Sequence, residues 1–128
     1  MEKFEVVCII DDDPIYIFGT RRIMEIAGYG EHFLVFENGK KAIDGLTSII
    51  GSGSKLPGVI FLDLNMPVMD GWDFLDEFRK LPVRGQIDIY ILSSSIDPAD
   101  TTRAKQYAEV RDFLVKPLTS RKLKELMG

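Results

Sequence analysis

The chain has 128 residues, and 16 Lys and Arg against 20 Asp and Glu give a net charge of −4 at pH 7. This length predicts one compact domain over residues 1–128 with no output domain, and 45% apolar residues suffice for an ordinary core. The negative charge argues against nucleic acid as a partner, and the single Cys8 excludes an internal disulfide or a cysteine-built zinc site. No membrane span or signal peptide is recognisable, so we expect a cytoplasmic protein.

Five short apolar runs alternate with five segments of helical pattern, which predicts a parallel sheet built from βα units. The strands are expected at Phe4–Ile10, His32–Phe36, Val59–Leu62, Ile87–Leu92 and Phe113–Val115. The helices are expected from Pro14 to a stop at Gly28, at Lys40–Ile50, at Gly71–Leu81, from Pro98 to about Ala108, and from a cap at Thr119 to Met127. The Gly- and Ser-rich segment 51–58 is interpreted as a surface loop rather than a domain linker.

Helix ends are marked by capping residues. Asp13 before Pro14 and Asp97 before Pro98 each combine an N-cap with a proline at the first helical position, and Gly28 supplies a left-handed stop. An apolar face is expected on helix one at Ile15, Phe18, Ile23 and Ile26. Other structural expectations are a buried thiol at Cys8, a surface position at His32 and mostly core aromatics at Trp72, Phe74 and Phe78.

Polar residues follow four of the predicted strands at their carboxyl ends. They are Asp11, Asp12 and Asp13 after strand one, Asp63 after strand three, Ser93 after strand four and Lys116 after strand five. A (βα)5 chain of this size most often forms a doubly wound sheet of order 2-1-3-4-5, which binds ligands at this edge. Because strands one and three are then neighbours, Asp63 is expected opposite Asp11 and Asp12.

Three carboxylates at one site indicate a bound cation. A pair about 4 Å apart repels by roughly 4 kcal/mol at an effective dielectric near 20, so the cluster either takes up protons or binds a metal ion. Oxygen ligands without nearby His or Cys favour Mg²⁺ or Mn²⁺, and so few carboxylates suit Mg²⁺, which often shares a phosphate. With Lys116 at the same edge, the pattern indicates phosphoryl chemistry with a carboxylate nucleophile and with Ser93 as a hydroxyl donor.

Four motifs in order along the chain resemble those of the receiver domain of two-component response regulators. They are Ile9–Asp13 after strand one, Asp63–Gly71 after strand three, Leu92–Ser94 after strand four and Lys116–Pro117 after strand five. Each motif alone is weak evidence, but the ordered set covers essentially the whole chain. The resemblance implies a flavodoxin-like fold and a stand-alone receiver that catalyses its own aspartyl phosphorylation rather than a turnover enzyme.

The resemblance also implies the ligands of the site. Asp63 would be the phosphoacceptor and a member of the metal site. Asp12 and the backbone carbonyl of Asn65 would bind Mg²⁺ directly, whereas Asp11 would act through water.

A further set of implied residues forms the switch. Lys116 would pair with the phosphoryl group, and its peptide bond to Pro117 is expected to be cis. Ser93 would be the switch hydroxyl, and Phe113 the switch aromatic that turns inward when Ser93 moves toward the phosphate. Many family members have Thr and Tyr at these two positions, so we expect a less sharply two-state switch here.

The expected function is therefore a phosphorylation switch in a phosphorelay or two-component system. A histidine kinase or histidine phosphotransfer protein would supply the phosphoryl group to Asp63. The surface of helix four, strand five and helix five would then change its binding of a downstream protein, in a monomer or a weak phosphorylation-dependent dimer. In this family the positions of Asn65 and Ser95 tune the lifetime of the phosphoryl group.

Three alternatives share part of the pattern. A haloacid-dehalogenase-type phosphatase would use Asp11–Asp13 as its Asp-x-Asp motif, but Pro14 stands where that motif normally continues into a small or hydroxyl residue. A flavodoxin-like FMN binder needs a glycine- and hydroxyl-rich loop after strand one, because carboxylates repel a phosphate. The third alternative is a receiver fold that only binds a partner, without phosphorylation.

Overall fold

The computed structural model describes residues 4–83, 85–94 and 97–127, in which strands and helices alternate. The strands are β1 (Phe4–Ile10), β2 (Gly30–Phe36), β3 (Val59–Asp63), β4 (Asp88–Ser93) and β5 (Val110–Val115). The helices are α1 (Pro14–Ala27), α2 (Gly39–Ser52), α3 (Gly71–Phe78), α4 (Pro98–Ala104) and α5 (Ser120–Met127).

The five strands are parallel and form one sheet in the order β2-β1-β3-β4-β5. The predicted fold class and strand order are therefore confirmed. The strand order reverses between β1 and β3, which pair directly through contacts such as Cys8 with Ile60. All five carboxyl ends consequently lie along one edge of the sheet, with β1 and β3 at its centre.

The core has two layers, one on each face of the sheet. On one face α1 and α5 contribute Met24 and Leu123, both fully buried against the sheet. On the other face α2 and α3 contribute Leu46 and Phe74. Central strand residues are buried on both faces, Cys8 among them, and this double burial explains why the sequence of these strands is nearly all apolar.

The apolar face expected on α1 exists, but most of it faces solvent. Ile15, Phe18 and Ile26 are 78%, 61% and 71% exposed. Instead α1 packs through Met24, with Ile17 and Ile23 half-buried beside it. Both sides of this helix carry isoleucines, so periodicity alone did not determine which side meets the sheet.

The helix caps are as predicted, but two helices end early. Asp13 and Asp97 accept hydrogen bonds from backbone N–H groups in the first turns of α1 and α4, and Gly28 has φ 75°. Helix α3 ends at Phe78 rather than Leu81, and α4 at Ala104 rather than about Ala108. The chain continues beyond both ends in tighter turns closed by three-residue hydrogen bonds, as from Leu81 N–H to Phe78 O.

The two edge strands are longer than expected. Strand β2 begins at Gly30 rather than His32, and β5 at Val110 rather than Phe113. Arg111 and Asp112 interrupt the apolar pattern of β5, but their side chains are exposed at the edge of the sheet. A charged side chain on an edge strand stays hydrated, so these residues do not prevent strand pairing. His32 is exposed on the other edge strand, as predicted.

All three aromatic residues of α3 are buried. Phe74 is fully buried, and Trp72 and Phe78 are 8% and 5% exposed. Trp72 is covered by the Tyr107 ring at 5.8 Å between centroids and by the Arg103 guanidinium at 4.5 Å. This stack joins the end of α4 to α3.

Candidate functional site

The fold brings four polar positions together at the carboxyl edge. Asp11 directly follows β1, Asp63 and Ser93 end β3 and β4, and Lys116 directly follows β5. The backbone N–H of Asp11 donates to Phe36 O at 3.1 Å, and that of Lys116 donates to Ser93 O at 2.8 Å. These bonds continue the strand ladders by one step and fix where both side chains leave the sheet.

Three of the four carboxylates expected at this edge form one cluster. Asp11, Asp12 and Asp63 each offer an oxygen atom, and these atoms lie within 4.8 Å of one another. Asp11 and Asp63 are buried, whereas Asp12 is exposed at the mouth of the site. The Asp13 carboxylate instead accepts from Ile15 N–H at 2.9 Å and caps α1. The oxygen-only cluster fits a hard divalent cation.

Lys116 lies inside this cluster. Its Nζ is 2.8 Å from Asp11 Oδ2 and 3.4 Å from Asp63 Oδ1, and its side chain is only 5% exposed. Burial acts to lower the pKa of Lys116, but hydrogen bonds and Coulombic attraction to the two carboxylates raise it above its ordinary value. Lys116 is therefore a fixed positive charge at the carboxyl edge.

Asp63 holds its proton more tightly than an ordinary carboxyl group. Its pKa is raised to about 6, first because burial disfavours the carboxylate and second because Asp11 repels it. Lys116 and the backbone N–H of Asn65 both oppose the rise. A negative charge on Asp63 is thus costly, and a cation or a transferred group bound there would relieve the cost.

The loop from Asp63 to α3 shapes one wall of the site. Asn65 is exposed next to Asp63, and Val68 has φ 71° with 84% of its surface exposed. A β-branched residue rarely adopts a positive φ, so this position is strained. Gly71 closes the loop by donating to Leu64 O at 2.9 Å.

The two positions implied as a switch lie on adjacent strands. Ser93 is 2% exposed at the end of β4. Phe113 on β5 is half-buried, pairs with Ile91 of β4, and lines a cavity of about 230 Å³ against α4. The Lys116–Pro117 peptide bond is cis. Ser95, expected to tune the phosphoryl lifetime, lies outside the described residues.

Sequence reasoning missed one residue of the site, Tyr16. Its ring centroid lies 4.2 Å from Lys116 Nζ. Tyr16 is the third residue of α1, and α1 begins directly after the acidic triplet at the carboxyl edge. Its position in the first turn of α1 could have identified Tyr16 as a site residue, because side chains there lie near the end of the preceding strand.

The comparisons with known proteins agree with this geometry. Residues 7–127 match the family described as the response regulator receiver domain. The chain belongs to that family. The receiver domain is 28% identical over 119 residues to the probable methanogenesis regulatory protein FilR2 of Methanothrix harundinacea, covering 93% of this chain and 76% of that protein. It spans 52% of the length of the response regulator ORR1 of Oryza sativa and 38% of that of the nitrate/nitrite response regulator protein NarL of Escherichia coli.

Solved structures show the same fold. A two-component response regulator from Cytophaga hutchinsonii is 32% identical with a TM-score of 0.88, covering 98% of this chain and 95% of that chain. The Mn²⁺-bound form of response regulator Rcp1 is 20% identical with a TM-score of 0.71, covering 95% and 88%. At that identity the second likeness supports the fold alone.

Family membership places the receiver domain in two-component signalling. Such domains are signalling proteins rather than turnover enzymes, and they take phosphoryl groups from histidine kinases or phosphotransfer proteins. They bind a divalent metal ion in an acidic pocket, and Asp11, Asp12 and Asp63 form such a pocket here. The family match favours this interpretation over the phosphatase and the flavin-binding alternatives. Within the described residues, no helix is long and apolar enough to cross a membrane.

Proposed function

We propose that this receiver domain accepts a phosphoryl group from a phosphohistidine on Asp63. The observation that carries the proposal is the buried Asp63 carboxylate, which shares a cluster with Asp11 and Asp12 and lies 3.4 Å from the Lys116 ammonium. An aspartate that lies beside both acidic side chains and a buried ammonium is suited to hold a phosphoryl group together with a metal ion.

In the proposed reaction an Asp63 oxygen attacks the phosphorus atom of the phosphohistidine. A phosphorus–oxygen bond forms as the phosphorus–nitrogen bond breaks, and the released imidazole takes a proton from solvent. Hydrolysis by water later returns the Asp63 carboxylate and inorganic phosphate. Lys116 neutralises part of the phosphoryl charge, and its raised pKa keeps it protonated at neutral pH.

The same proposal includes a Mg²⁺ ion, with Mn²⁺ as the substitute. Asp11, Asp12 and Asp63 supply carboxylate oxygens within 4.8 Å, and Asn65 would add its backbone carbonyl. Asp12 and Asn65 would bind directly and Asp11 through water. When bound, the ion neutralises charge on the phosphoryl oxygens. A site built from few carboxylates suits Mg²⁺, which keeps several of its waters.

Phosphorylation would act on partner binding through Ser93 and Phe113. Ser93 is positioned to donate its hydroxyl to a phosphoryl oxygen, because it ends the strand next to Asp63. The half-buried Phe113 ring lies beside a cavity of about 230 Å³ against α4, and in the proposal it turns inward when Ser93 moves toward the phosphate. That movement would alter the surface of α4, β5 and α5, which would bind a downstream protein.

Intact-mass spectrometry tests the chemistry. Wild type and Asp63→Asn are incubated with Mg²⁺ and acetyl phosphate, with a chelator control and with Asp44→Asn as a matched variant. Asp44 is an exposed aspartate of α2 that pairs with Lys40. We expect one phosphoryl adduct on wild type and Asp44→Asn, and none on Asp63→Asn or with chelator.

If wild type shows no adduct, either the adduct hydrolyses too fast to observe or it never forms. Beryllofluoride binding distinguishes the two explanations. Binding of this phosphoryl mimic would mean that the adduct hydrolyses too fast to observe, and the proposal would stand. Absence of binding would overturn it and leave a module that binds its partner without phosphorylation. An adduct on Asp63→Asn would place the phosphoacceptor elsewhere.

A further inference from the structure

The Lys116 ammonium has neighbours of two kinds. Asp11 and Asp63 accept from it, at 2.8 and 3.4 Å. The Tyr16 ring also lies beside it, with its centroid 4.2 Å from Nζ. A Lys ammonium has three N–H donors, and an aromatic face attracts a cation within about 6 Å of its centroid. The ring therefore adds an aromatic contact to an ammonium that already pairs with two carboxylates.

The Tyr16 side chain is partly buried between α1 and the segment that follows Lys116. It is half-buried, and it lines an apolar recess with Ile23 of α1 and with Pro117 and Leu118 after Lys116. Tyr16 also lies in a helix whose start is fixed by the Asp13 cap. A lysine side chain is a flexible four-carbon stem, whereas a tyrosine side chain has only two side-chain torsions, and this one is half-buried. The ring is thus the more rigid partner of the two.

Phosphoryl transfer changes the anionic group with which the Lys116 ammonium must pair. In the structure its shorter ion pair is with Asp11, whereas a phosphoryl group on Asp63 would need the ammonium on that side. A contact with the ring does not depend on which carboxylate is paired. It can therefore keep the ammonium inside the site while the anionic partner changes.

We propose that Tyr16 is a positioning residue, whose ring holds the Lys116 ammonium in the site so that it pairs with the phosphoryl group on Asp63. This inference rests on the proposed function, because it assigns a residue to the same reaction. It requires the aromatic face and not the hydroxyl group. Loss of the ring should slow phosphorylation by roughly three- to tenfold, the range expected for a partly desolvated cation–π contact.

The test compares Tyr16→Leu, which removes the ring, with Tyr16→Phe, which restores it. Phe18→Leu is the matched control, since Phe18 lies on the same helix and is 61% exposed. The rate of adduct formation is measured against acetyl phosphate concentration at saturating Mg²⁺, and Mg²⁺ affinity is measured separately. We expect Tyr16→Leu to lower the maximal rate at unchanged Mg²⁺ affinity, with recovery in Tyr16→Phe and no change in Phe18→Leu.

A second measurement does not depend on phosphorylation. In NMR spectra the Lys116 ε-methylene signals should be shifted upfield by the ring in wild type and Tyr16→Phe, and should return to ordinary positions in Tyr16→Leu. A wild-type rate in Tyr16→Leu, an equal loss in Tyr16→Phe, a weakened Mg²⁺ affinity or unshifted wild-type signals would each overturn the inference. If wild type takes up neither phosphoryl group nor beryllofluoride, the proposed function fails, and the NMR signals still decide whether the ring holds the ammonium.

Discussion

Asp11 and Lys116 form a buried ion pair, with 2.8 Å between Oδ2 and Nζ and with each side chain 5% exposed. Lys116 is therefore a compensating positive charge for the two buried carboxylates Asp11 and Asp63. Removing one partner of a buried pair leaves an uncompensated charge, which costs more than the pair itself contributes.

The first prediction is that Lys116→Met destabilises the metal-free protein by about 3 kcal/mol, because two buried carboxylates then face each other without a cation. The free energy of unfolding is measured by urea titration in chelator. Combining this change with Asp11→Asn should recover most of the loss, since one of the two charges is then gone. Equal losses in the single and double variants would contradict the role given to the ion pair.

A second prediction concerns pH. The pKa of Asp63 is raised to about 6 in the folded protein, and the unfolded protein has the ordinary value near 3.8. Below the unfolded pKa, Asp63 is protonated in both states and does not destabilise the folded protein. As the pH rises through about 6, the folded protein loses up to about 3 kcal/mol of stability, because the carboxylate is less favourable in the folded state. Without metal, Asp63→Asn should match wild type near pH 4 and exceed it in free energy of unfolding above pH 6.

The difference between wild type and Asp63→Asn isolates Asp63 from the other carboxyl groups, which titrate in both proteins. The measurement is urea unfolding at several pH values in chelator. A difference that stays constant from pH 4 to 7 would show that the pKa of Asp63 is not raised.

The strand order and the position of Asp63 opposite Asp11 were predictable because both follow from the order of elements along the chain. Carboxyl ends of parallel strands meet at one edge whatever their side chains are, so polar residues at those ends must converge. Buried strands such as β3 are also the easiest elements to recognise, because both of their faces must be apolar.

The rotation of α1 and the contact of Tyr16 with Lys116 were not predictable in the same way. Ile15 and Ile17 carry the same side chain, yet one is exposed and the other packs against the core. The cap at Asp13 and the packing of Met24 determine which of the two isoleucines faces the core, and hydrophobic periodicity reveals neither feature. Tyr16 lies near the start of the chain and Lys116 near its end, so only the assembled fold reveals the pair.

A third prediction follows from the strain at Val68. Its φ of 71° is unfavourable for a β-branched residue, and its exposed side chain contributes little packing. Val68→Asn should raise the free energy of unfolding by about 1 kcal/mol, because Asn adopts this conformation more readily. Val68→Ala, which has the Cβ atom without the polar group, should gain less. A loss of stability in Val68→Asn would mean that the Val68 side chain makes a contact that matters.

The fourth prediction is that Gly71→Ala disturbs the site itself. A Cβ atom there would lie 2.7 Å from Asp63 O and 2.9 Å from Leu64 Cα, and backbone atoms cannot rotate away. We expect a loss of about 2 kcal/mol in free energy of unfolding. Gly51→Ala is the matched control, since its Cβ meets nothing within 4 Å, and it should be neutral or stabilising. A wild-type stability in Gly71→Ala would show that the loop can move aside.

The fifth prediction is that Mg²⁺ stabilises the receiver domain through Asp12 and not through Asp13. A ligand that binds only the folded state adds about 2.7 kcal/mol at a concentration one hundred times its Kd. Asp12→Asn removes a charge from the cluster and should reduce this rise in thermal stability. Asp13→Asn should keep the rise, because Asn caps a helix as well as Asp and the Asp13 carboxylate caps α1. The Mg²⁺-dependent rise should also weaken below about pH 6, where Asp63 takes up a proton. Thermal unfolding with Mg²⁺ and with chelator measures each effect, and an equal loss in both variants would place the ion elsewhere.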